Sequence, residues 1–143
     1  MKLVDANVLL YAVNSSAPHH EQARHWLDDS LSGGDTVAFA WIALLAFVRL
    51  STKVGLFPAP LTVDQAMSRV DAWLGASPAV VLDPGPNHAS IVRSLLEPLG
   101  SGGNLVNDAH LAALAIEHRC SIVSFDNDFA RFPSVQWSPP PQR

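Results

Sequence analysis

The chain has 143 residues, enough for one ordinary domain, and 48% of them are hydrophobic against 15% charged, which excludes intrinsic disorder. Nine basic and thirteen acidic side chains leave a net charge of −4, which excludes a non-specific nucleic-acid coat held by bulk charge. Cys120 is the single cysteine, so no internal disulfide is expected and a reducing compartment is. The first apolar run, Lys2 to Val13, is broken by Asp5 and Asn7 and is too short for a secretory leader or a membrane span. A cytoplasmic location away from membranes is therefore expected. Leu3 and Val4 read as a short buried strand, followed by a helix or turn begun by Val8, Leu9, Leu10 and Val13. Ser15–Pro18 is punctuation, with Pro18 suited to a first helical turn. His20 to Leu31 then carries Ala23, Trp26, Leu27 and Leu31 at helical spacing, and Gly33-Gly34-Asp35 ends it.

Thr36–Phe39 reads as a strand, and Trp41–Leu50 as a helix with Leu44, Leu45 and Val48 inward. Leu56–Pro60 is a proline-punctuated loop. Thr62-Val-Asp-Gln65 has the capping-box pattern and opens a helix through Leu74. Ala79–Leu82 is a second short apolar strand. Asn87 or His88 starts a helix with Ile91, Leu95 and Leu96 on one face, ended by Gly100-Ser-Gly-Gly103. Asn107 or Asp108 reads as the cap of the most regular helix, where Leu111, Leu114, Ala115 and His118 recur three or four apart. Cys120–Phe125 is a strand, Asp126–Phe132 a turn of helix and Val135–Trp137 a last edge strand. Short strands alternating with helices predict an α/β fold whose mainly parallel sheet is covered on both faces. One domain over residues 1–137 is expected, with a disordered tail over 138–143. Mean hydropathy of +0.17 leaves room for apolar surface facing a partner or a second copy, as well as for a large core.

In open parallel sheets, sites form beyond the carboxyl ends of the strands. Asp5 follows the first strand and Asp126 the Cys120–Phe125 strand, so the two converge if those strands are neighbours. Asp128 shares the turn with Asp126, and Asp108 opens the helix feeding that strand. Carboxylates gathered without basic partners raise one another's pKa, and divalent cations relieve the repulsion. All-oxygen donors select Mg²⁺ or Mn²⁺ over zinc, and paired ions of this kind serve phosphodiester hydrolysis. Taken singly, each Asp also reads as a turn former or helix cap. A calcium loop from Asp126 fails, because its sixth position is Arg131 and its twelfth Trp137. A phosphoacceptor receiver domain needs a lysine late in the sheet, and the lysines are Lys2 and Lys53.

Three segments carry a family resemblance: Val4-Asp5-Ala-Asn7-Val-Leu-Leu-Tyr11, Asn104-Leu-Val-Asn-Asp108-Ala-His-Leu-Ala-Ala-Leu-Ala115 and Ser124-Phe-Asp126-Asn-Asp128-Phe-Ala-Arg-Phe132. With Leu44–Arg49, Val54–Phe57 and Pro60–Thr62 they resemble the PIN domain, and within it the VapC toxins of type II toxin–antitoxin systems, from Met1 to about Trp137. The resemblance implies a three-layer α/β/α fold and a Mg²⁺- or Mn²⁺-dependent endoribonuclease that cuts structured RNA. It also implies a homodimer neutralised by a small VapB-type antitoxin. Asp5, Asp108 and Asp126 match family metal ligands, Asp128 a frequent accompanying carboxylate, and Asn7 and Ser124 positions that orient those carboxylates.

One position departs from the pattern: Ala46 stands where the family usually has a glutamate, and a methyl group binds no metal. A natural branch, an engineered substitution and a degenerate copy all account for it. Weak affinity for a second ion is the expectation, together with a rival reading in which catalysis is weakened and binding of antitoxin or RNA remains. A phosphatase of small substrates is a third reading, disfavoured because no glycine-rich phosphate loop is present.

With the four aspartates set aside, nine acidic side chains face nine basic ones, and Arg49, Lys53, Arg93 and Arg131 are candidates for RNA phosphate contact. His19, His20 and His25 lack zinc-site spacing, and His110 points to a different helix face from Asp108. Trp26, Trp41 and Trp73 lie on apolar stripes and read as core or interface. The helix faces near the N-terminus and the Trp41–Leu50 helix are the expected dimer or antitoxin contact.

Overall fold

Alternation of short apolar strands with helices produces a parallel five-stranded sheet in a computed structural model that describes residues 1–142. The strands are β1 (Lys2–Val4), β2 (Val37–Phe39), β3 (Ala79–Val81), β4 (Ser121–Val123) and β5 (Trp137–Ser138), in the spatial order β3-β2-β1-β4-β5. β1 is central, pairing Lys2 with Val37 on one side and with Ser121 on the other. The chain steps outward from β1 to β3, then returns to the far side of β1 for β4 and β5. The order therefore reverses between β1 and β4, and the crevice beyond their carboxyl ends is the switch point where such folds bind ligands.

Side-chain alternation along each strand divides the interior into two layers. Val4, Phe39 and Val123 face one side, packed by α1 (Ala6–Val13), α2 (His20–Leu31), α3 (Trp41–Ser51) and α4 (Val63–Leu74). Leu3, Ala38 and Ile122 face the other, covered by α5 (His88–Leu96), α6 (Val106–Glu117) and the short helical turn Asn127–Arg131. The result is the expected α/β/α sandwich. Its first layer is anchored by Phe47, whose ring meets Trp73 edge-on at 4.8 Å.

Thr62 caps α4 in a reciprocal box: its hydroxyl accepts from Gln65 N–H at 3.1 Å, and Gln65 Oε1 accepts from Thr62 N–H at 2.9 Å. Thr62→Ala should cost about 1 kcal/mol of stability, read as a lower urea midpoint at unchanged slope.

Several expectations need correction. Leu45 points outward, 57% exposed, and the buried residues of α3 are Ala43, Leu44, Phe47 and Ser51. A helix this apolar all round gives its sequence little power to say which stripe faces the sheet. Of the tryptophans read as core or interface, Trp73 is buried and Trp41 is exposed, which leaves that reading standing. Pro18 lies in the turn before α2 rather than in its first turn. The last strand pairs at Trp137–Ser138, because Val135 leaves the ladder to pack under the sheet.

Ser138 pairs on the edge strand β5, Pro140 is buried, and the Gln22 side chain donates to the Pro140 carbonyl. Of the tail expectation, Arg143 lies outside the described residues.

Candidate metal centre

Asp5 leaves the end of β1 and becomes the N-cap of α1, its Oδ1 accepting from Ala6 N–H at 2.8 Å. Across the crevice, β4 ends at Val123 and passes into Ser124. The Ser124 hydroxyl is fully buried and fully used: it donates to Asp5 Oδ2 at 2.7 Å and accepts from Asn7 Nδ2 and Asp126 N–H, each at 3.0 Å. Asn7 completes the lattice, donating to Asp5 Oδ2 at 3.3 Å and accepting from Phe125 N–H at 3.1 Å. The two residues lock the end of β1 to the end of β4.

Asp126 turns the chain into the helical turn that follows, its Oδ1 accepting from Asp128 N–H at 2.8 Å. The turn swings the Asp128 side chain beside it. Asp108 arrives from α6. The expectation that Asn107 or Asp108 caps this helix is not met, because the helical turn Gly103–Leu105 runs straight into α6 and moves its start to Val106. Gly100 and Gly103, at φ of 72° and 46°, make that entry by adopting backbone that other residues rarely take. Asp108 therefore lies within the first turn with no capping bond, and its carboxylate is left for the crevice.

Asp108, Asp126 and Asp128 each offer a carboxylate oxygen, and these oxygens lie within 4.8 Å of one another. Asp5 stands alongside, close enough to act electrostatically on both Asp108 and Asp126. Arg131 Nε approaches Asp128 at 3.6 Å. Burial, followed by the charges of Asp126, Asp5 and Asp128, pushes the Asp108 carboxyl up to about 7. The N-terminus of α6 favours the anion by only about 0.3–1 kcal/mol, and burial with repulsion prevails. Burial also raises the Asp5 carboxyl, against the lowering effect of the Ser124 and Ala6 hydrogen bonds.

Asp5 and Asp108 open onto a cleft of about 570 Å³ that Ile42, Leu45, Ala46 and Arg49 of α3 also line. The Ala46 methyl thus faces the cleft where a carboxylate at that position would reach it. Lys53 and Arg93 are exposed elsewhere.

His110 turns from the cleft toward α5, where its Nδ1 lies 2.8 Å from His88 Nε2. His88 Nδ1 is 2.6 Å from Glu117 Oε1, and Gly85 N–H donates to Glu117 Oε2 at 3.0 Å. Burial acts to raise the Glu117 carboxyl, but the hydrogen bonds from His88 and Gly85 prevail and hold it below its ordinary value. This brace between α5 and α6 had no signal in the sequence beyond His110 itself. His19 stacks on Phe125, His20 Nδ1 meets the Tyr11 carbonyl, and His20 and His25 both approach Glu21.

The chain matches the PIN domain family model over residues 2–135. It is 60% identical to ribonuclease VapC37 of Mycobacterium tuberculosis over 141 residues, 99% of this chain and 98% of that protein. Identity to ribonuclease VapC33 of the same organism is 37% over 140 residues, 98% of each chain. Among solved structures, VapBC2 from Rickettsia felis bound to a promoter DNA fragment has a TM-score of 0.68 at 22% identity, covering 96% of this chain and 97% of that one. That last likeness is one of fold.

Proposed function

Because the chain belongs to the PIN-domain family, in its VapC group of ribonuclease toxins, we propose that it is a Mg²⁺- or Mn²⁺-dependent endoribonuclease cutting structured RNA, restrained by a cognate VapB-type antitoxin. It acts in the cytoplasm as a homodimer. The observation that carries the activity is the meeting of Asp108, Asp126 and Asp128 oxygens within 4.8 Å at the switch point, with Asp5 beside them.

The donor set fits the ion. It is all oxygen, which suits hard cations. Burial, with the added repulsion of Asp126, Asp5 and Asp128, pushes the Asp108 carboxyl up to about 7, and a bound cation would relieve that repulsion. Asp5, Asp108, Asp126 and Asp128 would hold the ion, which supplies water activation and charge neutralisation at the phosphodiester. Ser124 and Asn7 fix the Asp5 carboxylate, so its geometry is set before substrate arrives. Half-exposure of the cluster leaves it open to a phosphate on an RNA strand.

Ala46 favours a second reading, in which the fold binds antitoxin or RNA but cleaves poorly, because its methyl faces the cleft without a donor. Incubating the purified protein with total cellular RNA, in Mg²⁺ or Mn²⁺ and in EDTA, separates the two. Discrete bands that need the ion and vanish in Asp5→Asn are the expected result. Silence in the wild type, with bands only in Ala46→Glu, selects the second reading. EDTA-resistant cleavage overturns the role of the carboxylates.

A further inference from the structure

Arg49 lies one helical turn beyond Ala46, so both side chains project from the same stripe of α3 into the cleft that Asp5 and Asp108 line. It is exposed, and among the described residues its guanidinium makes no hydrogen bond and no ion pair within 4.0 Å. The contrast with the other arginines near carboxylates is direct: Arg131 leans on Asp128 at 3.6 Å, and Arg24 is paired with Glu21 at 2.9 Å. Arg49 shares a cleft with acidic side chains yet keeps all five N–H donors open. Ile42 and Leu45 are apolar members of the same lining.

An RNA phosphodiester entering this cleft brings a negative charge toward four aspartates. An ion held by the cluster would offset part of that repulsion. A glutamate at position 46 would help to hold more positive charge; Ala46 does not. We propose that the Arg49 guanidinium is the second cation of this site, clamping the non-bridging oxygens of the scissile phosphate on the side that Ala46 leaves without a carboxylate. The inference rests on the ribonuclease reading above.

In the reaction, the oxygen of water bonds to phosphorus as the bond from phosphorus to the leaving ribose oxygen breaks. The electron pair departs with that oxygen, which takes a proton from solvent while the attacking water gives one up to solvent. Arg49 exchanges no proton and stays cationic throughout. Its two-pronged fork meets the charge that builds on the equatorial oxygens, which a lysine, with a single point charge, matches less well.

The test compares wild type with Arg49→Ala and Arg49→Lys in three measurements. In EDTA, binding of a single-stranded RNA oligonucleotide across a salt series should show a slope shallower by about 0.7 in Arg49→Ala. With Mn²⁺ and saturating RNA, kcat should fall by about 10²–10³-fold in Arg49→Ala, with a smaller change in KM. Arg49→Lys should retain the salt slope but recover little of kcat, which separates a clamp from a simple counter-charge to the α3 C-terminus. Mn²⁺ affinity by calorimetry and the melting temperature should be unchanged in both. An unchanged slope and kcat overturn the proposal, as does lost Mn²⁺ binding, which would make Arg49 a support of the cluster. If the wild type cuts no RNA, the ribonuclease reading fails first. The EDTA salt slope then decides the phosphate contact, and an unchanged slope overturns it too.

Discussion

Asp108→Asn should cut RNA cleavage on the order of 10³-fold and yet make the metal-free protein more stable at pH 8. The Asp108 carboxyl is pushed up to about 7 by burial and by Asp126, Asp5 and Asp128, against an ordinary value of 3.8. A carboxyl whose pKa is higher in the folded state stabilises the fold in its protonated form. That contribution is complete below about pH 4 and is lost as the pH rises through 7. The metal-free wild type should therefore lose melting temperature over this window, and Asp108→Asn should lose markedly less. Water screens a half-exposed group, so the difference at pH 8 amounts to about 1–2 kcal/mol. Burial raises Asp5 as well, which adds to the trend with the same sign.

Divalent ion reverses the order. Added at about a hundred times its dissociation constant, it should stabilise the wild type by about 2.7 kcal/mol and Asp108→Asn far less. Below pH 7, protons compete for Asp108, and Mn²⁺ affinity should weaken. Cleavage should fall on the order of 10³-fold in the variant at any pH. Thermal melts with and without Mn²⁺ from pH 4 to 8, beside a cleavage assay, check all three. A variant less stable than wild type without metal at pH 8 would refute the electrostatic account.

Ser124→Ala should act with the opposite sign on stability. Removing this hydroxyl takes a donor from Asp5 Oδ2, an acceptor from Asn7 and the partner of the Asp126 N–H. Nothing else in the packed crevice replaces them, and the expected cost is about 2–4 kcal/mol. It should appear as a lower urea midpoint with the slope unchanged. Mn²⁺ affinity should also drop, by about 10–100-fold, because Asp5 loses the bond that orients it. A neutral Ser124→Ala would mean that Asn7 alone ties the ends of β1 and β4 together.

These two substitutions differ in how far the sequence anticipated them. Asp5 and Asp126 were legible because each follows a short apolar run, and residues just past strand ends gather at one edge of a parallel sheet. The alternation of strands and helices was legible for a similar reason, since local apolar spacing follows from backbone geometry. Asp108 was legible as a candidate but also read as a helix cap. Only the helical turn Gly103–Leu105 resolved that, by starting α6 two residues before Asp108. Leu45 went wrong because α3 is apolar on every side, and only the docked sheet says which stripe is covered. The Glu117–His88–His110 brace spans 22 to 29 residues of sequence, and no local pattern records such a contact.

By itself the sequence determined the α/β class, the family, and the placing of aspartates just past two strand ends. Each of these depends on residue identity or short-range order, which the chain carries whether folded or not. The tertiary structure alone decided that β1 and β4 are neighbours, that Ser124 serves three partners at once, and that Arg49 lines the same cleft as Asp5 and Asp108. Those facts depend on distances between segments far apart in the chain. They arise only when burial of the two apolar layers fixes the sheet order.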